Sequence, residues 1–252
     1  MKLRHVDSRD NPLLVRLRRQ LRSPGGYRQA GQVWIEGDHL CRAALARGVG
    51  VPLAVATEAA WKDAELLEAA QELVIVPPAL FAGLSTLESP ASVAYLLDVP
   101  PGQAPEPGVA SVVLDGVQDA GNVGSVLRSA SALGVRQVLA LKGTAALWSP
   151  KVLRAGMGAH FALRLVEGLE ADALDALGVP LVATSSHADA ALPDAPLPSP
   201  CAWVLGHEGQ GVSPAVTARC TLTVRIPQPG GEESLNVAAA AAICLYESAR
   251  RG

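Results

Sequence analysis

Short apolar runs separated by turn residues predict an alternation of strands and helices along most of the chain. In the first hundred residues, runs typical of strands lie at 33–37, 53–57, 72–76 and 93–99. The segments between these runs predict helices at 38–48, 58–72 and 79–85. Asp38 is the expected N-cap of the first of these helices and Gly48 its stop. The apolar face expected for helix 58–72 consists of Leu66, Leu67, Ala70 and Leu73.

The same alternation restarts after residue 108. Strands are expected at 111–115, 138–141, 163–166, 180–184, 202–206 and 222–226. Helices are expected at 122–133, 150–157, 170–177 and 234–249. Strands that alternate with helices in this way predict an α/β fold with a largely parallel, helix-covered sheet.

The stretch 100–108 separates these two series of elements. It contains four prolines and two glycines in nine residues, a composition that prevents regular structure. We therefore expect a linker here, between a smaller N-terminal domain at 1–99 and a larger domain at 109–252.

Charge is distributed unevenly over a chain whose formal net charge is only -3. A basic arm at 1–30 carries eight Lys/Arg and two Asp, whereas 31–107 carries three basic and ten acidic residues. Leu14, Leu17 and Leu21 have helical spacing in this arm. Arginines project from the other faces of that helix: Arg16, Arg18, Arg19 and Arg22. Such a helix can bind RNA phosphates with release of counterions, the alternative being a solvated charged face.

Composition excludes several classes of protein. An apolar fraction of 49% is ample for a packed core, and aromatics at 4% argue against a surface that reads single strands mainly by stacking. The N-terminus MKLRHVDSRD has no apolar stretch behind its charges, and no run suits a membrane span, so we expect a cytoplasmic protein. The spacing of the four cysteines matches no metal motif.

Candidate chemistry is concentrated in three glycine-rich loops, each at the carboxyl end of a predicted strand. The first, at 114–135, carries Asn122 and Arg128, which would lie on nearby faces at the start of a helix and face an anion. Alternatively, Asn122 is only a cap and Arg128 a surface charge. The second, at 202–214, places Glu208 among three glycines that permit close backbone approach of a ligand.

The third loop, at 224–247, places Ser234 as the N-cap of a helix that opens at Leu235. Open α/β sheets bind ligands where their strands end, so the three loops predict one composite site. Neither G-x-G-x-x-G in the first loop nor G-x-x-x-x-G-K-[ST] anywhere is present, which argues against a nicotinamide oxidoreductase and excludes a P-loop.

The three loops, in this order, closely resemble the SpoU/TrmH family of RNA ribose 2′-O-methyltransferases, in the SPOUT superfamily. The resemblance is carried by NVGSVLR (122–128), GHEGQGVS (206–213) and IPQPGGEESLNVAAA (226–240), with support from SPKVLRAGMGAHF (149–161). It covers 108–250 well. It is weaker over 1–97, which resembles a small ribosomal-protein-like α/β RNA-binding domain.

The resemblance implies a trefoil-knotted catalytic domain that binds S-adenosylmethionine, releases S-adenosylhomocysteine, needs no metal and forms a homodimer through its C-terminal domain. The positions it assigns to cofactor binding are Leu205, Gly206, Gly211, Ile226, Pro227 and Leu235. The positions it assigns to the catalytic centre are Asn122, Arg128, Glu208, Ser234 and Asn236. The sequence departs from the family pattern at His207, where asparagine is common, and at Ala120, where proline is common.

The implied reaction is methyl transfer to a ribose 2′-hydroxyl of structured RNA. Ribosomal RNA is preferred over transfer RNA because the N-terminal extension resembles those of ribosomal RNA enzymes. A tRNA 2′-O-methyltransferase and a non-catalytic RNA-binding protein that retains the fold remain alternatives. Arg128 is expected to stabilise developing charge or to clamp a phosphate. The family also suggests it as general base, a role that is disfavoured because a guanidinium group is almost always protonated in proteins.

Overall fold

The computed structural model describes residues 1–100, 103–230 and 234–251. The chain divides into two compact units, one comprising Met1–Pro101 and Trp148–Leu153, the other Gly102–Leu147 and Arg154–Gly252. Among the described residues, no helix has the length and apolarity needed to cross a bilayer.

The first unit is built on a five-stranded sheet of order β1-β4-β3-β5-β2. Its strands are β1 (Lys2–His5), β2 (Gln32–Glu36), β3 (Val51–Ala56), β4 (Ala70–Ile75) and β5 (Val93–Asp98). Its helices are α1 (Pro12–Leu21), α2 (Gly26–Ala30), α3 (Asp38–Ala46), α4 (Ala64–Glu68) and α5 (Pro78–Ala82), with a 3-10 helix at Glu58–Lys62. β5 runs antiparallel to both of its neighbours, β2 and β3, while β1 and β3 run parallel to β4.

The basic arm folds as the spacing of its leucines predicts. Leu14 and Leu17 are fully buried in α1 and pack with Trp34 and Phe81 in the core of this unit. The Asn11 side chain accepts a hydrogen bond from the Leu13 amide, which caps the helix. Burial of the leucine face leaves the arginines of α1 on the outer side of the helix.

Two predictions in this unit are wrong in detail. Ala70 and Leu73 belong to β4 and not to a helical face, because the helix predicted over 58–72 breaks into a 3-10 turn and the short α4. Asp38 is the first residue of α3, and Gly37 is the N-cap. The Asp38 carboxylate instead pairs with Arg42 one turn later.

The second unit is built on a seven-stranded sheet of order β10-β12-β9-β11-β6-β7-β8. Its strands are β6 (Ser111–Asp115), β7 (Gln137–Leu141), β8 (Arg164–Leu169), β9 (Leu181–Thr184), β10 (Ala190–Ala191), β11 (Ala202–Gly206) and β12 (Leu222–Arg225). Its helices are α6 (Ala120–Ala132), α7 (Pro150–Gly156, shared with the first unit), α8 (Pro214–Thr217) and α9 (Val237–Arg251). Every strand pair is parallel, so all strands end at the same edge of the sheet.

The six strands predicted for this unit are all present, and β10 and α8 are additions. The segment predicted as a helix at 170–177 is a 3-10 helix, Ala171–Leu177. The predicted caps shift. Asp119, and not Asn122, caps α6, and α9 starts at Val237, so Ser234 is not its N-cap. The Asn236 side chain takes that role by accepting hydrogen bonds from the amides of Ala238 and Ala239.

Residues 103–108 of the stretch predicted as a linker have no helix or strand and are held within the second unit by hydrogen bonds. Gln137 accepts a hydrogen bond from the Glu106 amide and donates one to the Glu106 carbonyl. Arg164 donates to the carbonyl of Ala104. Pro101 and Gly102 of the predicted linker lie outside the described residues.

A buried histidine lies in the second unit. His160 is 1% exposed, and its Nε2 lies 2.8 Å from the carbonyl oxygen of Leu147. A carbonyl oxygen only accepts, so Nε2 carries the proton. Burial, although partly offset by this hydrogen bond and by Glu167, lowers the pKa of His160 to about 4, and the ring is neutral near pH 7.

Candidate functional site

A cavity of about 1070 Å³ lies at the carboxyl edge of the parallel sheet. Its wall is formed by residues that follow β9, β11 and β12 and by the start of α9. All of them belong to the second unit. The three glycine-rich loops were predicted to meet at such an edge, and the second and third of them line this cavity.

The loop after β11 is closed on itself at its base. His207 and Gly211 exchange two backbone hydrogen bonds of 2.9 and 2.8 Å, and Gly211 has φ +70°. A Cβ at Gly206 would overlap the backbone of Gly211 and Val212, so only glycine permits this close approach. The Asp115 carboxylate at the end of β6 accepts a 2.6 Å hydrogen bond from the Ser213 amide and holds the far end of the loop.

Glu208 links this loop to the one before α6. Its carboxylate accepts hydrogen bonds from the amides of Gln118 and Asp119 at 3.2 and 3.1 Å, and from Asn122 Nδ2 at 3.1 Å. Partial burial alone raises the pKa of this carboxyl. The hydrogen bonds from Asn122 and the backbone outweigh that effect and hold the pKa below its ordinary value. Glu208 is therefore an ionised acceptor at neutral pH.

Asn122 and Asn236 extend this contact to the third loop. Asn236 Nδ2 donates a 2.9 Å hydrogen bond to Asn122 Oδ1, while Asn236 Oδ1 caps α9. Glu208 can only accept and the backbone amides of α9 can only donate, so the orientation of both carboxamides is determined. One chain of hydrogen bonds, Glu208–Asn122–Asn236, therefore joins all three predicted loops.

Arg128 is placed differently from these residues. It lies on the exposed side of α6, two turns beyond the Asn122 end of the helix. No hydrogen bond or ion pair joins it to any residue in 1–100, 103–230 or 234–251. Its guanidinium is therefore available to a ligand, and the structure does not bring it into the hydrogen-bonded chain.

Not all of the residues predicted to bind a cofactor line the cavity. Four of them line the cavity: Gly206, Gly211, Ile226 and Leu235. Ser234 lines it as well, while Leu205 is buried in β11 and Pro227 is exposed. Sequence reasoning missed the stretch 185–187 after β9, which also lines the cavity. The sequence contained the signal, since this polar segment follows the strand predicted at 180–184, just as each of the other three loops follows a predicted strand.

His207 supports the loop from within. Its Nδ1 accepts hydrogen bonds from the amides of Gly209 and Gln210, at 3.0 and 3.3 Å. No group of three His, Cys, Asp or Glu side chains suited to a metal ion is found in the part of the chain that the structure describes.

The four arginines predicted to bind RNA lie in the first unit. Arg16, Arg19 and Arg22 are exposed. Arg18 is half-buried and donates a hydrogen bond to the carbonyl of Arg9, so it also anchors the chain before α1. Three of the four guanidinium groups are therefore open to phosphate.

Comparison with known proteins agrees with this geometry. Residues 110–246 match the SpoU rRNA Methylase family. The chain is 33% identical, over 98% of its length and 93% of the relative's, to an uncharacterised tRNA/rRNA methyltransferase of Synechocystis sp.. It is 31% identical to the 23S rRNA (guanosine(2553)-2′-O)-methyltransferase RlmP of Bacillus subtilis, with 84% and 86% of the two chains covered.

A solved structure supports the same relationship. The SpoU methyltransferase AviRb from Streptomyces viridochromogenes, in complex with AdoMet, superposes with a TM-score of 0.87 at 27% identity, covering 96% of this chain and 98% of that one. The resemblance inferred from the three motifs is thereby confirmed, and the chain belongs to the SpoU rRNA methylase family.

Proposed function

We propose that the protein transfers a methyl group from S-adenosylmethionine to a ribose 2′-hydroxyl of RNA, with ribosomal RNA as the substrate. The observation that carries this proposal is the hydrogen-bonded chain Glu208–Asn122–Asn236 beside a cavity at the carboxyl edge of the parallel sheet. The named activity of RlmP and the AdoMet complex of AviRb support it.

The cavity fits a nucleoside cofactor. Its volume exceeds that of most small-molecule sites, and Ile226 and Leu235 offer apolar walls for a purine. The close backbone approach at Gly206 leaves main-chain groups of Leu205, Gly206, Ile226 and Leu235 to hold the ligand, with Gly211 and Pro227 nearby. When bound, the cofactor supplies an electrophilic methyl group on a sulfonium and leaves as S-adenosylhomocysteine.

The chain's own residues would position the ribose and stabilise charge. The 2′ oxygen would take the methyl group that the bound cofactor supplies, and the hydroxyl proton would pass to solvent, so negative charge would develop on that oxygen. Arg128, exposed and without a partner in the described part of the chain, would stabilise the developing negative charge or hold the adjacent phosphate. Asn122, Ser234 and Asn236 would orient ribose and cofactor, and Glu208 holds Asn122 in place.

RNA binding would involve the first unit through Arg16, Arg19 and Arg22, which are exposed on or beside α1. Ribosomal RNA is favoured over transfer RNA because RlmP, a relative over most of the chain, is named for 23S rRNA. Such a substrate also implies a cytoplasmic enzyme.

Two finer features belong to the same proposal. The second unit would contain the family's trefoil knot, with the cofactor bent within it. The chain would form a homodimer through this unit, and the exposed apolar side chains of Ile243 and Tyr246 on α9, 39% and 60% exposed, offer a surface for that contact.

The direct test combines binding and transfer. We expect isothermal titration to show binding of S-adenosylmethionine, and tritiated methyl to pass to ribosomal RNA from a strain that lacks the gene. Digestion of that RNA should yield a 2′-O-methyl nucleoside by mass spectrometry. Binding of RNA without any methyl transfer would contradict the proposal and favour a non-catalytic RNA-binding protein. Transfer to tRNA alone would overturn the choice of substrate.

A further inference from the structure

Gln228 has an unsatisfied polar atom in the wall of the cavity. It lies two residues after Ile226 in the loop that follows β12, and both residues line the cavity. Its Oε1 is buried and accepts no hydrogen bond from any residue in 1–100, 103–230 or 234–251. Buried side-chain oxygens in folded proteins are nearly always paired, so this one indicates a donor that arrives with a ligand.

The residues around Gln228 indicate which kind of ligand group donates this hydrogen bond. The carboxamide is neutral, and Ile226 and Leu235 contribute apolar side chains to the same cavity, an environment that suits a flat, uncharged base better than an ammonium group. A carboxamide also matches the edge of adenine, because it accepts from the 6-amino group and donates to a ring nitrogen beside it.

We propose that the Gln228 carboxamide recognises the adenine base of the bound cofactor, with Oε1 accepting a hydrogen bond from the 6-amino group. This inference rests on the proposed function, since that function supplies the adenosyl ligand. Gln228 then determines which nucleoside the cavity accepts, while the hydrogen-bonded chain around Asn122 serves the reacting groups.

The test uses a substitution that removes the polar end of the side chain and preserves its length, Gln228→Met. Its matched control is Gln210→Met, because Gln210 lines the same cavity but is exposed. Titration calorimetry would measure the Kd of S-adenosylhomocysteine and of an analogue with hydrogen in place of the 6-amino group.

We expect wild type and Gln210→Met to bind the analogue about tenfold more weakly than S-adenosylhomocysteine. Gln228→Met should bind both ligands with similar Kd values, near that of wild type for the analogue. Gln228→Glu, which keeps an acceptor, should restore part of the discrimination. Thermal unfolding without ligand checks that each variant is folded.

Equal binding of the two ligands by wild type would overturn the inference without recourse to any variant. Undiminished discrimination by Gln228→Met would overturn it as well. Either result leaves the proposed function intact as long as wild type binds S-adenosylhomocysteine, whereas failure of wild type to bind that ligand contradicts the function itself.

Discussion

Each unit contains a glutamate that holds a neighbouring loop at the carboxyl end of a strand, but one of the two is buried and the other is exposed. Glu36 ends β2 and accepts hydrogen bonds from Ser85 Oγ and from the amides of Thr86 and Ala91, at 2.6, 3.0 and 3.2 Å. It is 7% exposed. Glu208 follows β11, accepts from two amides and Asn122, and is exposed.

The difference follows from strand direction. In the first unit the antiparallel β5 begins where its neighbours end, so the loop that leads into it covers Glu36. Among the residues of the second unit that the structure describes, every strand runs the same way, and none begins at the carboxyl edge. A carboxylate that accepts hydrogen bonds from a neighbouring loop therefore stabilises a covered loop in the first unit and supports the wall of an open cavity in the second.

The largest expected effect is on the rate of methyl transfer when Arg128 is replaced, a residue that contacts neither Glu36 nor Glu208. Arg128→Ala should lower methyl transfer about a thousandfold or more while the Kd for S-adenosylmethionine stays within twofold, because in the proposed function the guanidinium would act on the substrate and not on the cofactor. A tritiated-methyl assay and calorimetry measure the two quantities. Arg154→Ala, another exposed arginine of this unit, is the control. Near-normal turnover in Arg128→Ala would show that Arg128 does not stabilise the developing charge.

The comparison of the two glutamates can be tested by one substitution at each. Glu36→Ala should lower the free energy of unfolding by about 3 kcal/mol, because it leaves buried donors without their acceptor. Glu208→Ala should cost less than about 1 kcal/mol, since water reaches the freed amides, but should weaken cofactor binding about tenfold. Urea unfolding and calorimetry provide the measurements. If Glu36→Ala and Glu208→Ala lower the free energy of unfolding equally, the proposed difference between the covered edge of the first sheet and the open edge of the second would be wrong.

The proposed part of the first unit in RNA binding depends on its exposed arginines. Replacing Arg16, Arg19 and Arg22 with Gln should weaken RNA binding about fiftyfold near 150 mM salt and reduce the salt slope of log K by about 2 to 3. Filter binding across a salt series measures both. Arg47→Gln with Lys62→Gln changes exposed charges in the acidic part of the same unit and should have little effect. A similar loss in this control would indicate net charge and not a basic face.

The smallest effect should appear on acidification. His160 has a folded pKa of about 4 and an ordinary pKa of 6.5, so between these values the unfolded chain binds more protons. Stability contributed by the neutral ring is present above pH 6.5 and lost as the pH falls toward 4, about 2 kcal/mol by pH 5. Urea unfolding at pH 7 and pH 5 checks this. His160→Gln, which retains a donor for Leu147, should lack this part of the pH dependence, and an unchanged dependence would refute it.

Prediction from sequence succeeded where burial determines structure. The central strands of both sheets were found because their apolar runs are buried on both faces. β1 was missed because its four residues, KLRH, are all exposed at a sheet edge and carry no apolar pattern. Ala70 and Leu73 were misassigned because a short apolar run fits a helix as well as a strand, and only pairing of β4 with β3 decides between them.

The three glycine-rich loops predicted where the site lies but not which side chains contact each other within it. The glycines and the strand ends indicated one composite site, yet the caps were assigned to the wrong residues. Ser234 lies two residues before the observed cap Asn236, and Asn122 lies three residues after the observed cap Asp119. Several polar residues near each helix start can serve as a cap, and the choice depends on contacts with another loop. Asn236 contacts Asn122 across 114 positions of sequence, a separation that no local pattern encodes.

The fixed orientation of the two carboxamides has a consequence for chemical ageing. Deamidation slowly hydrolyses asparagine side chains to carboxylates, which have no N–H to donate. At Asn236 the new group could still cap α9 but would lose its bond to Asn122, and at Asn122 it would place a second negative charge against Glu208. The helices and the sheet would survive either event. Either change would therefore break the chain Glu208–Asn122–Asn236 and leave the fold intact.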